Sequence, residues 1–208
     1  MVEARAVSVA VDDAILLPQT TVSVDRGTAL MVRGHNGAGK STLLKVIAGI
    51  RAPTSGTIII GGRPASKRSR EFRRRVTAMI GLPPVAHDLT VRDHIELIAT
   101  TWFERPVATS VASDLLDRLG LAGLERRFPH ELSTGQLQLA ALAMVLARPF
   151  DVLLLDEPEQ RLDPERLGLV ADVLAARRDA GASVIVATHS SILANRLGDE
   201  ELDLGLGR

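Results

Sequence analysis

The sequence predicts an α/β fold: a mostly parallel sheet, with a small antiparallel β-subdomain and a helical subdomain attached. Three observations predict it. A glycine-rich loop, Gly34-His35-Asn36-Gly37-Ala38-Gly39-Lys40-Ser41-Thr42, joins an apolar run to a helical pattern. Two later apolar runs, at 151–155 and 183–188, alternate with helical stretches, which implies right-handed crossovers between parallel strands. Before them, strand-like stretches crowd the opening of the chain, too close together for crossovers, as an antiparallel layer requires.

The elements follow in order. Residues 5–11 alternate apolar with small or polar side chains and read as a strand; residues 21–25 read as another. Arg26-Gly27 turns into a buried strand at 29–32 that feeds the glycine-rich loop. Residues 43–48 then carry a helical pattern that Gly49 can end. Residues 51–56 are loop by composition, and 57–60 are a β-branched strand closed by Gly61-Gly62. Residues 63–75 are basic, with Arg63, Lys67, Arg68, Arg70, Arg73, Arg74 and Arg75 against Glu71 alone. They read either as a solvated helix face with Phe72 turned inward or as a patch for anionic lipid headgroups or an acidic partner. A core strand at 76–80 is broken by Gly81-Leu82-Pro83-Pro84. Thr90 N-caps a helix running to about Trp102, and 110–119 is amphipathic, with Leu115, Leu116 and Leu119 on one face. Residues 86–147 are expected to form an all-helical insert between core strands. The run at 151–155 reads as a strand buried on both faces. A helix at 164–180, opened by Pro164 and stopped by Gly181, leads to a strand at 183–188 and a last helix at 190–197.

Composition bounds the function. Only Trp102 and four Phe are aromatic, so the core is aliphatic. The 25 basic residues balance 25 acidic ones, which argues against the basic surface that nucleic acid requires; no nucleic-acid partner is expected. The absence of Cys excludes a disulfide frame and a thiolate metal site. No signal-peptide pattern opens the chain, and no apolar run approaches the roughly 18–20 residues of a membrane span.

The glycine-rich loop fits the phosphate-binding pattern G-x-x-x-x-G-K-[ST]. Glycines let successive N–H groups converge on one anion. Lys40 suits the β- and γ-phosphates, the Ser41 hydroxyl suits Mg²⁺, and the helix that follows adds its N-terminal partial charge. Asp156 and Glu157 end the strand at 151–155, at the carboxyl edge where open α/β sheets bind ligands. Asp156 can hold Mg²⁺ and Glu157 can orient or polarise an attacking water. Leu132-Ser133-Thr134-Gly135-Gln136 opens a predicted helix and so offers a second anion-binding N-terminus. His189, at the end of another core strand, can hydrogen-bond a γ-phosphate.

Together these motifs resemble the ATP-binding cassette (ABC) ATPases, the nucleotide-binding subunits of ABC transporters. The resemblance covers about residues 5–197. Gly34 to Thr42 looks like Walker A, Leu132 to Gln136 like the LSGGQ signature with Thr134 for its first Gly, and Val152 to Asp156 like Walker B. Glu157 matches the family's catalytic glutamate, Leu162-Asp163 the end of its D-loop, and His189 its switch histidine. The resemblance implies a P-loop NTPase fold with an ABC-type core, one nucleotide-binding domain spanning 1–208. It also implies that Gly34, His35, Asn36, Gly37, Ala38, Gly39, Lys40, Ser41 and Thr42 hold ATP, with Ser133, Gly135, Gln136 and Asp163 completing the site across a dimer. Ser41 and Asp156 would hold Mg²⁺, and Lys40, Glu157 and His189 would serve catalysis. The implied partners are a second ABC subunit, arranged head to tail, and a separate transmembrane permease, on the cytoplasmic face of the membrane.

Three positions depart from the family's pattern. No aromatic residue precedes Phe72, whereas the family usually stacks one on adenine; by spacing Val11 or a neighbour takes that place. No Gln stands near Leu82-Pro83-Pro84, where the Q-loop glutamine is usual. Leu139 replaces the usual Arg after the signature. The alternative readings are a degenerate regulatory subunit that binds nucleotide with little hydrolysis, and an ABC ATPase not engaged in transport.

Overall fold

A computed structural model describes residues 1–65 and 69–205. Two sheets make up its β-structure. The first is antiparallel. β1 (Val2–Val11) turns through Asp12-Asp13 into β2 (Ala14–Val24), while β4 (Ser55–Ile60) pairs along the other side of β1 and carries β5 (Arg63–Pro64) at its edge. β2 begins well before the expected 21–25, because Pro18 falls inside it. Proline breaks the strand pattern but is tolerated here, since β2 is an edge strand. The ladder shifts register there, between the Val9–Leu17 and Val7–Thr20 pairs. A second bulge places Ala6 at φ 49°, against Gly56, where a Cβ would lie 2.3 Å from the Ala6 carbonyl oxygen.

The second sheet is parallel, in the order β6-β7-β8-β3-β9. Its strands are β3 (Ala29–Arg33), β6 (Val76–Ile80), β7 (Val152–Asp156), β8 (Ser183–Ala187) and β9 (Glu200–Asp203). Its central strands are buried on both faces, which explains their unbroken apolar runs. Alternate residues serve different cores. Leu30, Val32, Val152, Leu154 and Ile185 pack with α1 (Lys40–Ile47) and the antiparallel sheet. Met31, Leu153, Leu155, Val184 and Val186 pack with α6 (Pro164–Asp179), α7 (Ser191–Leu197) and the helices between β6 and β7. β9 is absent from the sequence reading. Its Glu200-Glu201-Leu202-Asp203 has no strand propensity, and its charges suit an edge, where they discourage further pairing.

Three α-helices lie between β6 and β7: α3 (Val91–Thr100), α4 (Arg105–Arg118) and α5 (Thr134–Leu146). α4 starts before the expected 110. Pro106 sits in its first turn, where its missing N–H costs nothing. The apolar α5 is buried almost all round and packs on both α3 and β6. In the basic stretch, α2 (Arg70–Arg75) buries Phe72 as expected, and Glu71 pairs with both Arg63 and Arg75. Lys67 and Arg68 lie outside the described residues. Among the described residues, no helix is long and apolar enough to cross a membrane.

Candidate active site

Strands β7, β8 and β3 are adjacent and parallel, so their carboxyl ends reach one edge together. Each delivers one part of the site. β3 runs into the glycine-rich loop and α1. Gly39 is held there on two counts: its φ is 104°, and a Cβ would stand 2.8 Å from the Leu16 carbonyl oxygen. The loop borders a cleft of about 550 Å³ that Asn36, Lys40, Ser41, Glu157 and His189 also line. Lys40 is only 5% exposed. Its ammonium donates to the carbonyls of Gly34 at 2.8 Å and His35 at 3.2 Å, and it lies 3.1 Å from His189 Nε2. The two carbonyls take two of the three ammonium protons, and the His189 ring stands beside the third.

β7 brings the carboxylates. Burial pushes the Asp156 carboxyl up, a hydrogen bond with the Ser41 hydroxyl pulls it down, and the neighbouring Glu157 charge pushes it up again. Asp156 Oδ1 is buried with no partner among the described residues. A hydroxyl beside an unsatisfied carboxylate oxygen is the hard-oxygen donor set that Mg²⁺ takes from a protein when phosphates and water complete its shell. Among the described residues no group of three or more His, Cys, Asp or Glu side chains could form an all-protein metal site. Glu157 follows with φ 48°, left-handed and unfavourable by about 1–2 kcal/mol for a residue with a Cβ. Its N–H donates to the Ala187 carbonyl at 2.8 Å. Its Oε1 lies 3.8 Å from His189 Nε2, and its Oε2 accepts from the Gln160 amide.

Not all the expected residues meet here. Ser133, Gly135, Gln136 and Asp163 do not line the cleft. Ser133 caps α5: its hydroxyl accepts from the Gln136 N–H at 3.3 Å, while the Gln136 side chain accepts from the Ser133 N–H at 2.8 Å. Asp163 caps α6 by accepting from the Arg166 N–H at 2.8 Å. The two caps are neighbours, since a Cβ on Gly135 would lie 2.6 Å from the Arg161 carbonyl oxygen.

The structure adds residues to the cleft. Ile15 and Leu16 on β2 form the apolar wall of the cleft, and Val11 pairs with Ala14 beside them. Sequence spacing along β1 could not find this, because the hairpin partner supplies the wall. Glu159 also escapes sequence reading. Its Oε1 accepts from the Thr188 hydroxyl at 2.6 Å, the His189 N–H at 2.8 Å and the Ser190 N–H at 3.3 Å. Nothing local signals those bonds, which span a whole βα unit. The segment lacking a glutamine after β6 is pinned instead by His94, which accepts from the Ala86 N–H at 2.9 Å and donates to the Thr90 carbonyl at 2.8 Å.

Comparison with known proteins identifies the family and supports the fold. The family described as ABC transporter matches residues 17–160. The chain is 34% identical over 195 residues to the cytochrome c biogenesis ATP-binding export protein CcmA of Xanthomonas campestris pv. campestris, covering 93% of this chain and 89% of that one. It is 30% identical over 213 residues to the glutamate transport ATP-binding protein GluA of Corynebacterium efficiens, covering 100% and 88%. A solved ATP-binding subunit of an ABC transporter superposes with a TM-score of 0.87 at 28% identity, over 100% of this chain and 87% of that one. A dimeric ATP-binding cassette in a post-hydrolysis state with ADP and Pi shares the fold, with a TM-score of 0.86 at 22% identity over 99% and 94%. The chain belongs to the ABC transporter family. It is an ATP-binding and ATP-hydrolysing subunit of the ABC transporter kind.

Proposed function

We propose that this chain, acting as one nucleotide-binding domain over 1–208 with 86–147 as its helical subdomain, hydrolyses Mg²⁺-bound ATP in a head-to-tail dimer on the cytoplasmic face of a membrane, docked on its permease. One observation carries the reading. Lys40, the Ser41–Asp156 pair, Glu157 and His189 gather on one cleft, while the Ser133–Gly135–Gln136 helix start lies elsewhere in the same chain. A site with both parts therefore needs two chains.

The residues divide the work. N–H groups of the loop from Gly34 to Thr42 cradle the phosphates, and Lys40 neutralises their charge. Ser41 and Asp156 would hold Mg²⁺, which when bound would neutralise charge on the phosphates. Glu157 orients the attacking water and accepts its proton, and His189 donates a ring N–H to the γ-phosphate. Ser133, Gly135, Gln136 and Asp163 act on the nucleotide held by the other chain.

Light scattering and single-turnover hydrolysis with Mg-ATP test this. Glu157→Gln should slow hydrolysis by about a hundredfold or more, keep ATP binding, and form a lasting dimer. Ser133→Arg should bind ATP as a monomer and fail to dimerise. A Glu157→Gln protein that stays monomeric at about tens of micromolar would sink self-pairing and direct attention to an unlike second cassette.

A further inference from the structure

We infer that Glu159 is a positioning residue for hydrolysis, whose carboxylate clamps the backbone that carries His189 and so fixes where the His189 ring stands over the phosphates. The inference rests on the proposal that His189 serves the hydrolytic step.

The chain path makes the clamp. At the end of β7 the left-handed turn at Glu157 swings the backbone toward β8, where the Glu157 N–H meets the Ala187 carbonyl. Two residues on, the Glu159 side chain faces the loop leaving β8. One of its oxygens collects three donors from three successive residues, Thr188, His189 and Ser190. The buried Thr188 hydroxyl, while donating to Glu159, also accepts from the Ser190 N–H at 2.9 Å, so the bonds close into a ring. His189 is held in the middle of that ring by its own N–H, and its side chain leaves toward Lys40 and Glu157.

Charge explains the residue type. A carboxylate oxygen receiving a hydroxyl and two N–H groups forms charge-assisted bonds, about twice as strong as neutral ones. A threonine hydroxyl or an amide oxygen at this position has fewer lone pairs and no charge. The arrangement is also costly, because Glu159 Oε2 is buried with no partner among the described residues.

The elements beside the loop have independent supports. The Thr188 N–H donates to the Val32 carbonyl at 3.2 Å, and the Ser190 hydroxyl caps α7 by accepting from the Leu193 N–H at 3.3 Å. The strand end and the helix start are therefore held without Glu159. What Glu159 adds is the fixed setting of the residue between them. Glu159 does not line the cleft, so it works through His189 and not on the nucleotide. A displacement of about 1 Å in a reacting group can cost on the order of a hundredfold in rate.

The test is a double-mutant cycle on the full chain, read as single-turnover Mg-ATP hydrolysis, ATP affinity, and hydrogen exchange of the His189 and Ser190 amides. Glu159→Ala should lower the hydrolytic rate about tenfold or more, leave ATP affinity within about twofold, and speed exchange at both amides. Glu159→Gln, which keeps shape and one acceptor but no charge, should fall between wild type and Glu159→Ala. In a His189→Ala background either substitution should cost less than about twofold, because the group being positioned is gone. The inference is overturned if Glu159→Ala keeps its rate, if rate and ATP affinity fall together, or if its cost is undiminished without His189. Should Glu159→Ala fail to fold, Glu159→Gln carries the same cycle. Full activity of His189→Ala would instead remove the histidine's proposed role; loss in His189→Ala with none in Glu159→Ala would remove only the clamp.

Discussion

Asp156 shows at the scale of one residue how the site trades stability for chemistry. Burial raises its pKa, so the folded protein favours the protonated form more than the unfolded chain does. The sign follows: the contribution to stability is most favourable below the ordinary carboxylate range and is lost as pH rises through it, leaving the ionised form a cost at neutral pH. Asp156→Asn removes that charge. Its thermal midpoint in metal-free buffer should rise by about 2–4 °C, on the scale of roughly 1 kcal/mol, while Mg-ATP hydrolysis is lost. A lower midpoint would show that the carboxylate is better satisfied than its unpartnered oxygen indicates. The apolar wall of the cleft is a second case at this scale. Ile15 is 73% exposed, so a larger ring there costs no packing. Ile15→Tyr should tighten ATP and GTP alike, by about fivefold if stacking contributes roughly 1 kcal/mol, whereas Val11→Tyr should change neither. Without an aromatic ring the wild type should hold ATP and GTP within about tenfold of each other. Calorimetric titration with both nucleotides measures all three, and a hundredfold preference for ATP would show base contacts beyond these aliphatic side chains.

Helix ends are where single elements are most readily tested. In α3 the Thr90 hydroxyl accepts from the Asp93 N–H at 3.2 Å, and Asp93 Oδ2 accepts from the Thr90 N–H at 3.0 Å. The Thr90 side-chain and backbone bonds hold the Asp93 carboxyl below its ordinary value. A depressed carboxylate contributes above its unfolded pKa, and that contribution is lost as pH falls through the folded one. Because Asp93 is exposed, the cap bond and not long-range attraction carries the effect. Asp93→Ala should cost about 1 kcal/mol at neutral pH, or roughly 2–4 °C in thermal midpoint. The gap should close as pH drops below about 4. A gap that persists in acid would place the loss in helix packing instead. This capping box was legible in sequence only through Thr90; the buried strands were legible throughout, because an unbroken apolar run between breakers has few other uses. β9 was not, since its acidic residues form a strand only because β3 offers them an edge.

Across the whole molecule, what the sequence revealed divides by distance along the chain. The phosphate loop could be read residue by residue because strand, loop and helix start are contiguous. The carboxylates and His189 could be read because each ends a strand whose apolar run is self-evident. Ile15, Glu159 and the bonding of Glu157 to Gln160 and Ala187 could not, because each depends on a partner brought in by a hairpin or a crossover. The alternating burial of the central strands has a mechanical consequence. β7 is a party wall: Val152 and Leu154 belong to the body containing α1, while Leu153 and Leu155 belong to the body containing α3, α4 and α5. The carboxylates at its end stand on a beam gripped from both sides by separately packed layers. A displacement of the helical layer would thus be carried to Glu157 along β7, at a distance from the cleft itself.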